Sequence, residues 1–322
     1  MTKNKLLKPI LVKNKNLRKK FPIIQKYFQL SLKETDNFPK KNNIIVSKKI
    51  VRKIGCSVCQ SKKSEDFFVY QGFVHSKCLI CSHIYISNPL NENILIESYK
   101  SSKTDEAYIK RMKTKFILNY NNKLYEKYYK ISKKYINKNS TLLEVGCGTG
   151  QFLKFLVKKG HNPYASEFIK SSKHLVTKII DKDRFFFQVK NSDLPFKNYF
   201  DFIYLWGVFE HLRFPLNELK IFNMLLKKGG KIFFLIPNLQ SRAFELLGMA
   251  TPTITPKNHL NFFTDKSFNY ICKKTGFKVL KKYQELPIID LMYDYINNEK
   301  KEIKKILEED KSYYRAYFIQ KQ

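Results

Sequence analysis

The sequence has no run of about 18 consecutive apolar residues, the length that a membrane-crossing helix requires. Its longest apolar stretches, such as 232–236, are strand-sized. Lysine interrupts residues 1–20 every few positions, which leaves no apolar segment for a secretory leader there and favours a cytoplasmic protein. Acidic residues are scarce: 27 Asp+Glu against 61 Lys+Arg leave a net charge of +34. Such a surplus implies a polyanionic partner (RNA, DNA or an acidic membrane surface) or the codon usage of an AT-rich genome. The chain is crowded with Lys, Asn, Ile, Phe and Tyr and poor in Ala, Gly and Arg. Lysine far outnumbers arginine, the residue that two-pronged phosphate recognition favours, so the compositional origin is preferred and nucleic acid is not the favoured partner. Six cysteines, four of them in two CxxC pairs with Cys147 and Cys272 alone, do not make the disulfide framework of a small secreted domain. Hydrophobic residues at 43% and aromatics at 15% exclude a disordered chain. The length suffices for one α/β domain with one or two small appendages.

The paired cysteines are the first feature with a specific chemistry. Cys56-x2-Cys59 and Cys78-x2-Cys81 are separated by 18 residues. Each CxxC makes a knuckle, and two knuckles complete a tetrahedral sulfur shell; in a reducing compartment this spacing favours Zn2+ over disulfides. A closed four-thiolate shell is structural. Between the knuckles, residues 67–70 and 84–86 have strand character, Gln71-Gly72 suits a hairpin turn, and Asn88-Pro89 ends the unit. His75 and His83 lie close by but are surplus to the shell. Before it, Pro9, Pro22 and Pro39 punctuate a basic, irregular segment with room for a short helix at 23–32. After it, Leu90, Ile94 and Leu95 recur at helical spacing, and residues 98–103 break the pattern. A longer helix over 109–135 then places Met112, Phe116, Leu124, Tyr128 and Ile131 on one face, expected to pack on the next domain.

From residue 140 strands and helices alternate. Strands are expected at 141–145, 163–165, 185–189, 202–205 and 232–236, with helices at 151–159, 170–180 and 215–226. This rhythm predicts a parallel sheet covered on both faces. Two further strands, at 277–283 and 316–320, flank an amphipathic helical insertion at 288–309.

The apolar strand Leu142-Leu143-Glu144-Val145 runs directly into Gly146-Cys147-Gly148-Thr149-Gly150 and then into a helix. Glycines there permit a tight turn and close approach of the backbone to a ligand. The spacing is GxGxG rather than the GxGxxG of a pyrophosphate site, and Glu144 stands two places before the first glycine. Glu167 ends the second strand about 20 residues further on, where a carboxylate can accept both hydroxyls of a ribose. Asp193-Leu194-Pro195-Phe196 precedes Phe200-Asp201-Phe202-Ile203. Next come Leu205-Trp206-Gly207-Val208-Phe209-Glu210-His211-Leu212, Gly229-Gly230, Ile236-Pro237-Asn238, His259-Leu260-Asn261-Phe262-Phe263-Thr264 and Thr275-Gly276-Phe277.

This string, over residues 140 to 283, resembles class I S-adenosylmethionine-dependent methyltransferases, in particular the subfamily of ubiquinone-type O-methyltransferases and enzymes of bacterial polysaccharide clusters. The ribbon, Tyr85, Asn88-Pro89 and the following helix with Tyr99 resemble the front end of the latter. The resemblance implies a Rossmann-like α/β sheet with helices on both faces, preceded by a small zinc ribbon. It also implies S-adenosyl-L-methionine at Glu144, Gly146, Cys147, Gly148, Gly150 and Glu167. Many relatives carry an acidic residue before the Leu-Pro to accept from the adenine amino group. Here Lys190, Asn191 and Ser192 stand there, so Asn191 or Asp193 must substitute. Trp206 is expected to pack near the cofactor.

Methyl transfer to a hydroxyl or carbon acid needs alignment and a base. His211, at the carboxyl edge of the fourth strand, is the candidate base, with Glu210 beside it and His259 in a loop over the cleft. The expected organisation is a basic extension (1–50), a zinc-ribbon module (51–89), a helical linker or cap (90–138) and the methyltransferase domain (139–322). The expected acceptor is a small molecule or a glycan or sugar precursor. Two alternatives stand beside it: an RNA methyltransferase gripping RNA with ribbon and tail, and a scaffold that binds cofactor without catalysis. The first lacks an Asn-Pro-Pro-Tyr-type motif after strand four; the intact glycine loop and Glu167 oppose the second.

Overall fold

The computed structural model describes residues 9–10, 26, 29–30, 33–100, 102–287 and 299–322. Most of the helix expected at 23–32, and residues 288–298 of the insertion, lie outside that set. The chain opens with β1 (Lys40–Lys41), β2 (Ile44–Ile45), β3 (Ser64–Tyr70), β4 (Phe73–Cys78) and β5 (Ile84–Ile86), followed by helices α1 (Glu92–Lys100), α2 (Ser102–Met112) and α3 (Lys115–Ser132). The second part runs β6 (Leu142–Val145), α4 (Gln151–Lys158), β7 (Tyr164–Glu167), α5 (Lys173–Val176), β8 (Phe185–Phe187), β9 (Phe200–Trp206), α6 (Pro215–Leu225) and β10 (Leu226–Pro237). It ends with α7 (Arg242–Leu247), β11 (Asn261–Phe262), α8 (Asp265–Lys274), β12 (Phe277–Glu285), α9 (Glu299–Glu308) and β13 (Tyr314–Lys321).

Seven strands form one sheet in the order β8-β7-β6-β9-β10-β13-β12. Only β13 runs against its neighbours β10 and β12. The order reverses between β6 and β9, and in open α/β sheets ligands bind at the carboxyl ends of the strands beside such a switch point. Alternation along the strands divides the core. Phe202, Tyr204, Phe233 and Leu235 meet Leu124, Tyr125 and Tyr128 of α3 and Phe152 and Leu156 of α4 on one face. Ile203, Leu205, Ile232 and Phe234 meet α6 and α8 on the other, through Leu219, Phe222, Phe268 and Ile271. Burial on both faces explains why these strands are continuous apolar runs.

Three expected elements differ. The single helix at 109–135 is two, because Thr114 caps α3: its side chain accepts from the Ile117 N–H. The break at 98–103 narrows, with α1 reaching Lys100 and α2 starting at Ser102. The helix at 170–180 shrinks to a 3-10 turn at 170–172 and the four residues of α5. There the Thr177 hydroxyl bonds back to the Lys173 carbonyl, and branched Val176, Thr177, Ile179 and Ile180 are weak helix formers.

A second sheet is antiparallel, in the order β3-β4-β5-β11. Its last strand comes from residues 261–262, which pair with Tyr85 and Ile84. Cys56, Val58, Cys78, Cys81 and Tyr85 share one buried cluster with Leu143, Phe209, Phe263 and Phe268. The cysteine-bearing unit is therefore fused to the main core and takes a strand from it. No helix among the described residues is long and apolar enough to cross a membrane.

Candidate active site

The glycine loop sits at the switch point, between β6 and α4. Gly146 has φ +68°, and a Cβ there would come within 2.7 Å of Val208 Cγ2. Gly148 has φ +53°, and its Cβ would lie 2.9 Å from the Tyr108 hydroxyl of α2. Side chains at either place would be strained and would clash, so the cradle depends on glycine. The Gly148 N–H donates to Glu167 Oε2 at 2.5 Å, and the Phe168 and Ile169 N–H groups donate to Oε1 at 2.6 and 2.9 Å. Burial raises the Glu167 carboxyl, against those three donors. Glu144 is buried, and its Oε2 has no hydrogen-bond partner among the described residues. Burial, and then the charge of Glu167, hold its carboxyl well above the usual range. The Cys147 thiol is likewise pushed well up by burial and by both carboxylates, so it is inert as a nucleophile.

In the 3-10 turn at 191–193, Asn191 is buried and donates from Nδ2 to Glu218 Oε2 at 2.8 Å, while its Oδ1 has no partner among the described residues. Asp193 is exposed and accepts from Ser192 Oγ at 2.9 Å. Of the two residues expected at the adenine, Asn191 thus carries the buried, unpaired acceptor. Trp206 packs edge-on against Tyr125 and Phe152, with ring centroids 4.9 and 5.0 Å away, and tilted against Phe233 at 4.5 Å.

Beyond β9 the chain turns at Gly207 (φ +65°) into a 3-10 turn, Phe209–His211. Phe209 anchors it, stacked on Phe263 at 4.8 Å; burying such a side chain contributes about 1.5–3 kcal/mol. Glu210 is 2% exposed and its Oε2 has no partner among the described residues. The His259 ring stands edge-on to that of His211, with centroids 4.6 Å apart. One ligand atom from each of Glu210, His211 and His259 lies within 4.8 Å of the others, a spacing that a bound cation could bridge. His259 Nδ1 lies 2.5 Å from the Thr253 carbonyl, which can only accept, so Nδ1 carries the proton and Nε2 is bare.

Burial pushes Glu210 up to about 8 and His259 down to about 4. His211 is held well below its ordinary value by burial and then by His259, against the carbonyls of Asn258 and Gly207. At neutral pH two uncharged imidazoles therefore face a largely protonated carboxyl group.

The four cysteines meet at the other side of β11. Sγ of Cys56 is 3.5 Å from that of Cys81, and Sγ of Cys59 is 3.4 Å from that of Cys78; all four lie within 4.8 Å of one another. Bonds of 2.3 Å to a tetrahedral Zn2+ require separations of about 3.8 Å, so the donor set fits that ion. The knuckles match. Gln60 and Ser82, each following a CxxC, have φ of +63° and +60° and donate N–H to the carbonyls of Cys56 and Cys78.

A family model described as a methyltransferase domain matches residues 117–282, just over half of the 322-residue chain. The chain belongs to this family. It is a class I, S-adenosylmethionine-dependent methyltransferase with the α/β fold that the sequence predicts. Solved structures similar to this methyltransferase include three S-adenosylmethionine-dependent methyltransferases. That of Mesorhizobium loti has 10% identity and TM-score 0.44, covering 60% of this chain and 97% of its own. The Listeria monocytogenes structure has 13% identity and TM-score 0.43, with 60% and 96% covered. The Aquifex aeolicus structure has 16% identity and TM-score 0.41, with 60% and 88% covered. No curated protein matches the sequence.

Tyr108, Thr253 and Asn258 of this methyltransferase touch the site without any motif having marked them. Each lies in a segment where nothing local distinguishes it from an ordinary surface polar residue.

Proposed function

We propose that this methyltransferase methylates a hydroxyl or an acidic carbon of a small molecule or glycan precursor, with His211 as the base. The observation that carries this reading is the cluster of buried Glu210 with half-buried His211 and His259 at the carboxyl end of β9, where the Thr253 carbonyl fixes Nδ1 of His259. S-adenosylmethionine supplies a methyl group on a sulfonium, a good leaving group. Glu144, the backbone of Gly146 to Gly150, and Glu167 would hold it; the glycine cradle and the unpaired Glu144 Oε2 suit a cationic ligand without phosphates. Glu167 would take the ribose hydroxyls and Asn191 Oδ1 the adenine amino group, with Trp206 backing the pocket. The protein then needs to align the acceptor and remove its proton. A neutral His211 accepts that proton, and Glu210 and His259 beside it orient its ring. Cys56, Cys59, Cys78 and Cys81 would hold a structural Zn2+ with no position open to substrate.

Replacing His211 with alanine tests this directly. Turnover should fall by about 10²- to 10⁴-fold, while S-adenosylmethionine affinity stays near that of the parent. Near-normal turnover would remove His211 as the base.

A further inference from the structure

Asn261 is 1% exposed, and the reading above gives it no part. Its carboxamide is saturated. Oδ1 accepts from Ser57 Oγ at 2.6 Å and from His83 Nε2 at 3.1 Å. Nδ2 donates to the Leu212 carbonyl at 2.8 Å and to the Glu210 carbonyl at 3.3 Å. Two carbonyls on one side and a hydroxyl on the other fix which end is oxygen.

The two sides belong to different units. Ser57 lies inside the first cysteine knuckle, and His83 follows the second. The carbonyls of Glu210 and Leu212 flank His211. The turn that carries His211 holds itself by little: His211 N–H to the Val208 carbonyl at 2.9 Å and Leu212 N–H to the Phe209 carbonyl at 3.3 Å. Its outward carbonyls find their partners in β11 and the residue before it, since the Leu260 N–H also donates to Glu210 O at 2.9 Å. Behind that, Leu260 O accepts from Ile86 N–H at 3.0 Å, and Asn261 pairs with Tyr85 of β5. No other side chain of this length offers two donors and an acceptor from one rigid plane. Aspartate would aim an oxygen at two carbonyls, and leucine would take the partner from Ser57 Oγ, His83 Nε2 and the Leu212 carbonyl.

We propose that Asn261 is a positioning residue through which the four-cysteine unit sets the orientation of His211. The cysteine unit is then part of the machinery that aligns the base, which accounts for its borrowed strand. The proposal rests on the reading of His211 as the base.

The test uses the full-length, metal-loaded protein labelled with 15N-histidine. The ring signals of its six histidines are compared in the parent, Asn261→Ala and Ser57→Ala, with His211→Gln for assignment. S-adenosylhomocysteine affinity is measured for each by calorimetry. Asn261→Ala should move the His211 and His259 signals and leave those of His161 and His174 in place, with affinity within about twofold of the parent. Ser57→Ala should move the His211 signal in the same direction by less. An unmoved His211 signal in Ser57→Ala overturns the proposal, and that variant decides alone if Asn261→Ala does not fold. Displacement of all six signals in Asn261→Ala, with none in Ser57→Ala, also overturns it, because it marks a merely structural residue. Normal turnover in His211→Ala would instead sink the reading of the base, while leaving the result for Asn261 to stand.

Discussion

Gly148 has φ +53° and no room for a Cβ beneath the Tyr108 hydroxyl. A valine there combines a left-handed backbone with that clash, at a cost of about 1–3 kcal/mol or more. Calorimetry on Gly148→Val should therefore show S-adenosylmethionine binding weakened by at least roughly 10- to 100-fold; unchanged affinity would take the cofactor away from this loop. Glu210 makes a prediction of the opposite kind, about stability. Burial raises its carboxyl to about 8 in the folded protein, against an ordinary value near 4.5. Its contribution is thus fully present below the unfolded value and is lost as pH rises through about 8. Denaturant unfolding at pH 6 and pH 9 should show the parent losing more stability at the higher pH than Glu210→Gln does; equal losses would contradict the burial account. Residues such as Glu167, His211 and the four cysteines were legible in the sequence because short motifs carry them. Asn261 stands in such a string too, but its bonds were not legible: its partners Ser57 and His83 stand 204 and 178 positions away. Thr253 was hidden for a different reason, since it acts through its backbone carbonyl and its side chain says nothing of that.

At the scale of elements, the sheet was readable where strands are buried on both faces and carry an apolar run, as at 202–205 of β9 and 232–236 of β10. Periodicity merged α2 and α3 because Met112 and Phe116 keep helical spacing across the junction, where the cap at Thr114 starts a new helix. Two-residue β11 has no periodicity to read, and its strand character comes from β5 alone. The element that follows β11 carries its own start signal. Thr264 and Ser267 form a reciprocal capping box at the head of α8. Thr264→Ala should cost about 1 kcal/mol in denaturant unfolding; an effect near zero would show that packing of Phe268 and Ile271 alone holds the helix in place.

The whole molecule joins two units that the sequence presents as successive. Because Cys56, Cys78 and Cys81 lie in the same core as β6 and β9, chelating the metal should lower the stability of the entire chain in one transition. A separate early transition confined to the cysteine unit would show that the two are independent. Native mass spectrometry should find one zinc per chain. The charge of +34 belongs to this scale as well. It draws the protein to polyanions at low salt whatever its acceptor, so binding to RNA alone says nothing about the substrate. Transfer of the methyl group does. The purified protein would be incubated with S-adenosylmethionine labelled in its methyl group and an extract of its own cells, and the label separated by size and nuclease sensitivity. Label in small, nuclease-resistant material, absent with His211→Ala, is the predicted result; label in a nuclease-sensitive polymer would contradict it.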